Sequence, residues 1–249
     1  MLFRSLGHLA KEHFCQEVRP GNSVGLCGGF AVSRMVHALQ RGECPGGIRV
    51  YPIAATPVLE KAPVSANSVV SALAYRHFDY GMQASELPFL FEDVNSDANG
   101  HRLSPPLRIA RRILDDASKV DFVFMGIGSR ETGALATDIA ETQQDYQWLA
   151  GIDLAEIREQ GRPVGDILYH LVDADGRPLR GFKERNEQLV TSIGLDGLRR
   201  LVENGKRVVV IAGGPEKADV TRAAITAGYA NVLIIDDGLA RALTSPRAR

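Results

Sequence analysis

VGLCGGFAVSRMVHAL, residues Val24–Leu39, is the stretch whose reading decides the fold. A short apolar run, Val24 to Cys27, meets Gly28-Gly29. Val32, Met35, Val36 and Leu39 then recur at i, i+3, i+4 and i+7, which is one face of a helix. The stretch therefore reads as strand, glycine turn, helix. Such a turn aims backbone N–H groups and the positive end of a helix dipole at one point, a seat suited to an anion. The same two glycines are equally consistent with a tight turn that only reverses the chain.

The same grammar recurs further along. Arg207–Ala212 is an apolar strand, Gly213-Gly214 a turn, Pro215 a favourable first helical residue, and Glu216–Ala227 a helix. Val120–Gly126 (VDFVFMG) is nearly continuous in apolar character, as a strand buried on both faces should be, and it runs into Gly126-Ile127-Gly128-Ser129. Further strands are expected at Ile48–Ile53, within Met82–Phe91, and at Asp166–Val172, Leu189–Ile193 and Asn231–Ile235. Helices are expected at Leu2–Gln16, 31–40, Ser65–His77, Leu107–Ser118, Thr142–Gln160, Leu195–Asn204 and Gly238–Leu243. Ala54–Pro63 and 130–140 read as loops. The polar stretch Glu92–Pro106 is the longest irregular segment and a candidate mobile lid. Strands alternating with helices of ten to fifteen residues specify an α/β fold with a mostly parallel sheet and helices on both faces. In such sheets ligands sit beyond the carboxyl ends of the strands, so the three glycine turns would face one cleft if their strands are neighbours.

Composition narrows the function classes. The 249 residues can bury a sizeable core, and no linker or repeat divides them, so a single domain spanning 1–249 is expected. A net charge of −1 without a basic run offers no field for nucleic acid. Three cysteines without CxxC spacing, Cys15, Cys27 and Cys44, form neither a disulfide framework nor a zinc signature. The six histidines show no close ligand pairing, so neither a metal nor a cofactor is expected. The N-terminal segment carries Arg4, His8, Lys11 and Glu12, which is unlike a signal peptide or a membrane span. A cytoplasmic protein is expected.

Among single residues Lys217 is the most informative. A cation in the first turn of a helix is disfavoured by the dipole, and an anion held between it and the Gly213-Gly214 turn would account for it. A solvated lysine paired with its own helix is the plainer account, and Glu216 supports that. Neither a Gly-x(4)-Gly-Lys-Ser/Thr loop nor a G-x-G-x-x-G turn is present, so nucleotide binding is not expected. Cys27, at a strand end beside a helix, reads as a small buried residue rather than a nucleophile. Asp173 and Asp175 read as turn formers and Asp236 as a helix cap. Asp166 could accept sugar hydroxyls or be structural. Arg185 could reach a phosphate or lie on the surface. Ser33, one helical turn in, could lend a hydroxyl, and a surface or packing serine is the plainer reading.

Several motifs occur together in order: VGLCGGFAV, VDFVFMGIGS (120–129), PVGDILYHLVDADGRPL (163–179), LDGLRR (195–200) and VVVIAGGPEKADVTRAAITAGYANVLIIDDGLARAL (208–243). Over roughly residues 5–243 the chain resembles the effector-binding domain of SorC-type transcriptional regulators. The resemblance implies a fold like that of ribose-5-phosphate isomerase and glucosamine-6-phosphate deaminase, a sugar or sugar-phosphate ligand, and a homo-oligomer. It places the family's phosphate-binding turn on Gly28, Gly29, Phe30 and Ala31, where the usual threonine is replaced by Ala31. It places the family's AGG-x-x-K lysine on Lys217. Ala54-Ala55 stand where a paired glycine is usual. About one helix precedes Val24, too little for the family's helix-turn-helix, so direct DNA binding by this chain is not expected.

The expectation is a carbohydrate-binding effector domain, with a sugar phosphate as ligand, that senses without turnover. Its ligand-binding residues would be Gly28, Gly29, Phe30, Ala31, Gly126, Gly128, Ser129, Asp166, Arg185, Gly213, Gly214 and Lys217, with no catalytic residue. The alternatives are a sugar-phosphate isomerase or deaminase on the same fold, or an interaction module that has lost its ligand.

Overall fold

The apolar run around Val123 becomes the centre of the sheet. In the computed structural model, which describes residues 2–54, 65–77, 81–85, 105–129, 163–179 and 192–245, six strands pair in parallel. In chain order these are β1 (Ser23–Leu26), β2 (Arg49–Pro52), β3 (Gln83–Ala84) and β4 (Phe122–Met125), then, after three short strands described below, β8 (Arg207–Ala212) and β9 (Val232–Ile235). Their spatial order is β3-β2-β1-β4-β8-β9, the doubly wound arrangement. β1 pairs with β4 through Val24↔Phe122 to Leu26↔Phe124, and β4 with β8 through Phe122↔Arg207 to Met125↔Val210.

The period-2 alternation of the strands divides the core in two. Phe122, Phe124, Val209 and Ile211 face one side. There they meet Leu6, Ala10 and Phe14 of α1 (Leu2–Glu17), Val32, Met35 and Val36 of α2 (Phe30–Ala38), and Val69, Val70 and Leu73 of α3 (Ala66–His77). Leu6, Ala10 and Phe14 fall at four-residue spacing, so α1 buries one stripe, and the Phe14 ring lies 5.4 Å from that of Phe124. Val123, Met125, Val208, Val210 and Ala212 face the other side. They meet Ala110 and Leu114 of α4 (Pro105–Ala117), Leu198 and Leu201 of α5 (Gly194–Glu203), Val220 and Ala223 of α6 (Ala218–Thr226), and Leu239 of α7 (Asp237–Thr244).

Four features depart from the sequence reading. The single strand expected over Asp166–Val172 is a hairpin, β6 (Gly165–Ile167) and β7 (His170–Val172), joined at Leu168-Tyr169. Both joining residues have left-handed backbones, φ 49° and 66°, an arrangement that β-hairpins reserve for Asn-Gly-like pairs and that is costly for bulky side chains. The Gly126–Ser129 segment is more than a turn: Gly128–Ser129 forms β5, which pairs antiparallel with β6 in a small second sheet. Helix α6 starts later than expected, because Pro215–Lys217 forms a 3₁₀ turn first. Ile193 is not a strand residue but the N-cap of α5, and Ser192 bridges to Ala54. The lid placed at 92–106 lies outside the described residues up to residue 104, and its last two residues open α4. The loop 130–140, the helix 142–160, most of the strand at 189–193, Ala55 and Arg185 also lie outside them.

At the amino ends of the central strands one carboxylate ties three elements. Asp121 Oδ2 accepts the Ser23 N–H and the Ser23 hydroxyl, both at 2.9 Å, and Oδ1 accepts Lys206 Nζ at 2.7 Å. Burial pushes the Asp121 carboxyl up, but Lys206 and the two Ser23 bonds outweigh it and hold it below the usual range. The Asp121→Ala variant should lose about 2 kcal/mol in urea unfolding, because a buried N–H and a lysine lose their acceptor together. Ligand affinity should be unchanged, since this edge lies opposite the carboxyl ends.

The hairpin is pinned by His170, whose Nε2 lies 3.4 Å from Ser192 Oγ. Burial pushes the His170 imidazole down from 6.5 to about 4, with Asp196 opposing. Between those values the unfolded chain binds the proton and the folded one does not, so stability falls on acidification through that window. The His170 share is on the order of 3 kcal/mol, and His77, also pushed down by burial, adds its own. Urea unfolding between pH 4.5 and 7 should show a shallower loss for His170→Gln than for the native chain. An identical slope would assign the effect elsewhere.

Candidate functional site

Because the six strands run parallel, their carboxyl ends share one edge, and the strand order reverses between β1 and β4. That switch point is where doubly wound sheets open a ligand crevice. The strands β1, β4 and β8 are adjacent, so the turns at Gly28-Gly29, Gly126–Ser129 and Gly213-Gly214 stand side by side.

At the first turn, Cys27 N–H donates to the Phe124 carbonyl at 3.0 Å, extending the β1–β4 pairing to the base of the glycines. Gly29 takes φ 113°, a conformation that side chains resist, and α2 begins at once with no side-chain cap. The N–H groups of its first turn therefore have no intrahelical acceptor. Ala31 is buried, while the Phe30 ring stands 66% exposed at the mouth. Ser33 does not supply the missing hydroxyl: its Oγ lies 3.4 Å from His37 Nδ1, one turn along α2. Burial, aided by Asp166, pushes the Cys27 thiol up to about 12, so it stays protonated at neutral pH and is no nucleophile.

The small sheet brings the second and fourth candidates together. Gly128 pairs directly with Asp166, and Ser129 with Gly165. A Cβ on Gly165 would fall on the Gly128 carbonyl oxygen and within 2.8 Å of the Val220 Cβ, so β6 lies hard against α6. This sets Asp166 within electrostatic reach of both Cys27 and Lys217. Ser129 is buried.

Around the third turn the charges are dense. Asp236, at the carboxyl end of β9, accepts the Gly214 N–H at 2.8 Å through Oδ2 and the Leu239 N–H at 2.7 Å through Oδ1. It caps α7, as its position suggested, and also grips the neighbouring turn. A Cβ on Gly213 would lie 2.6 Å from Asp236 Oδ2 and from Leu6 Cδ1, and Gly214 takes φ 99° with the Glu216 carboxylate folded against it. Lys217 closes the 3₁₀ turn, half-buried, its N–H on the Gly214 carbonyl at 3.2 Å. Burial lowers the Lys217 ammonium below its ordinary value, and the opposing pull of Glu216, Asp166 and Asp236 does not fully offset it. Among the described residues its ammonium makes no hydrogen bond or ion pair.

Gly28, Gly29, Phe30, Ala31, Gly126, Gly128, Ser129, Asp166, Gly213, Gly214 and Lys217 thus cluster at one edge; Arg185 is outside the described residues. Asp173 is confirmed as a turn former, its Oδ1 accepting the Asp175 and Arg177 N–H groups at 2.9 and 2.8 Å. Sequence reasoning missed the second role of Asp236, which links residues 22 apart, and the hairpin tip at Leu168-Tyr169, for which no turn signature exists. A separate groove of about 400 Å³ lies between α6, α7 and the 173–176 turn, lined by residues that include Asp175, Arg222, Ile225 and Leu243 and by none of the site candidates. Among the described residues no group of three His, Cys, Asp or Glu side chains could hold a metal ion, and no helix is long and apolar enough to cross a membrane.

Comparisons with known proteins identify the family and the fold. The Sugar-bind family model, described as a putative sugar-binding domain, matches residues 2–245. The deoxyribonucleoside regulator of Bacillus subtilis is 24% identical over 242 residues, covering 96% of this chain and 70% of that protein. The transcriptional regulator LsrR of Klebsiella pneumoniae subsp. pneumoniae is 38% identical over 80 residues, which is 32% of this chain and 23% of LsrR. Among solved structures, the full-length sorbitol operon regulator SorC of Klebsiella pneumoniae superposes with a TM-score of 0.73 at 20% identity, covering 97% of this chain and 72% of that one. A transcriptional regulator from Streptococcus pneumoniae TIGR4 gives a TM-score of 0.73 at 17% identity, over 97% and 84% of the two chains. The chain belongs to the family of sugar-binding domains found in SorC- and DeoR-type transcriptional regulators.

Proposed function

We propose that the chain is the effector-sensing part of a transcriptional regulator, binding a sugar or sugar phosphate at the carboxyl edge of its sheet without turning it over. The observation that supports this most is the convergence of three glycine turns on Lys217 and Asp166 at the switch point between β1 and β4. Sugars present hydroxyl groups that both donate and accept. An ammonium, a carboxylate and free backbone N–H groups supply the complementary partners. Sensing without chemistry fits a Cys27 thiol held protonated by burial. The effect of ligand would be a population shift between two states of a homo-oligomer, and DNA contact would fall to another part of the regulator.

A thermal-shift screen against free sugars and their phosphates tests this. A ligand at about a hundred times its dissociation constant adds about 2.7 kcal/mol, roughly 5–10 °C in Tm for a domain of this size. The bound sugar should be recovered unchanged. Lys217→Met should remove most of that shift while leaving the ligand-free Tm unchanged or higher, because a desolvated charge is lost. No shift with any panel member, or a full shift in Lys217→Met, would contradict the proposal.

A further inference from the structure

We infer that α4 is the surface through which two copies of this chain pair, antiparallel across a two-fold axis. The inference rests on the homo-oligomer named in the proposed function, gives it a surface, and does not depend on which ligand binds.

Helix α4 turns Ala110, Leu114 and Ala117 to the sheet, where they are buried. Its outward face carries Ile109, 54% exposed, and the exposed pairs Arg111-Arg112 and Asp115-Asp116. The order of those charges is unfavourable for a helix on its own. The dipole favours carboxylates in the first turn and cations in the last. In α4 the first turn has no acidic residue, the last turn has no basic one, and the helix ends on Asp115-Asp116-Ala117. Arg108 comes one turn before Arg112, so the amino half of the helix is basic and the carboxyl half acidic.

Nothing among the described residues offsets this. Arg111 and Asp115 stand four residues apart, as do Arg112 and Asp116, but a cation ahead of its carboxylate is the weaker order for pairing within a helix. Among the described residues none of these four side chains makes an ion pair, and neither does Lys119 just past the helix end. Where the carboxylate comes first, on α5 and α6, the pairs do form: Asp196 with Arg199 and Asp219 with Arg222, both at 3.1 Å.

A second copy supplies both missing charges at once. At about 100° per residue, Arg112 and Asp116 fall on one flank of the outward face and Arg111 and Asp115 on the other. A two-fold axis across the helix, level with residues 113–114, sets Arg112 opposite Asp116 of the second copy on the first flank. On the second flank it sets Arg111 opposite Asp115 of the second copy, and the symmetry forms each pair twice. A wholly acidic or wholly basic partner would satisfy one half of α4 and repel the other. Ile109, one turn ahead of Arg112 on the same flank, adds apolar area beside the arginine stems. A helix of this length spans about 20 Å, so the contact is small and its strength depends on salt.

Sedimentation equilibrium of the purified chain tests the surface with two double variants, Arg111→Glu with Arg112→Glu and Asp115→Lys with Asp116→Lys. The native chain should self-associate, and more weakly in about 0.5 M NaCl. Each variant alone should self-associate at least about tenfold more weakly than the native chain, with an unchanged circular dichroism spectrum, because its outward face now repels its own copy. An equimolar mixture of the two, one face acidic and the other basic, should associate again to within severalfold of the native strength. Native association that neither variant weakens, or a mixture no tighter than the variants alone, overturns this surface and leaves the homo-oligomer intact. A native chain that stays monomeric at about 100 µM overturns both.

Discussion

The parallel pairing of β1, β4 and β8 is the constraint on which everything else at the site depends. Parallel strands end on the same edge, so three turns that are about a hundred residues apart in sequence become neighbours. The pairing is held by apolar alternation on both faces, with Phe124 buried toward α1 and Val123 and Met125 buried toward α5 and α6. A one-residue slip would exchange those faces and place the phenylalanines among the alanines of α6. At the amino edge Asp121 locks the start of β1 to Lys206 just ahead of β8. The locked edge is ionic and satisfied; at the open edge, among the described residues, the Lys217 ammonium has no hydrogen-bond partner and α2 has no side-chain cap. Under the proposed function, this asymmetry separates what stabilises the fold from what would recognise a ligand.

Asp236 shows how the two demands meet. One carboxylate caps α7 and holds the turn that precedes α6, so the position of Lys217 depends on a residue from a different strand. Burial lowers the lysine's proton affinity and three carboxylates raise it again. The result is a partly desolvated cation that has no hydrogen-bond partner among the described residues, and under the proposed function its donors would meet ligand oxygens. The strained Leu168-Tyr169 turn has a related meaning. Left-handed bulky residues persist only where their surroundings fix them, and here the hairpin is fixed by the Gly165 approach to α6 and by His170 beside Ser192.

Much of this was legible in the sequence because it is local. VDFVFMG and RVVVIA announce buried strands by their own composition, and the glycine pairs with their following helical periods announce the turns. The likeness to SorC-type effector domains, carried by the AGG-x-x-K and VGD…D-x-D-G segments, matched the family to which the chain belongs. What escaped is non-local or lacks a signature. Nothing in Leu168-Tyr169 signals a hairpin, since the usual glycine or asparagine is absent and tertiary packing enforces the turn. Gly128-Ser129 becomes a strand only because Asp166 and Gly165 come to pair with it. The grip of Asp236 on Gly214 joins separate βα units, and no pattern within either unit encodes it.

In the proposed function the ligand sits where the carboxyl ends of β1, β4 and β8 meet. The most direct test is a crystal structure of the chain with its tightest-binding sugar. Density is expected at that edge, with a ligand oxygen within hydrogen-bond distance of Lys217 Nζ and others near the first-turn N–H groups of α2. Density confined to the groove between α6 and α7, beside Asp175, Arg222 and Leu243, would contradict it.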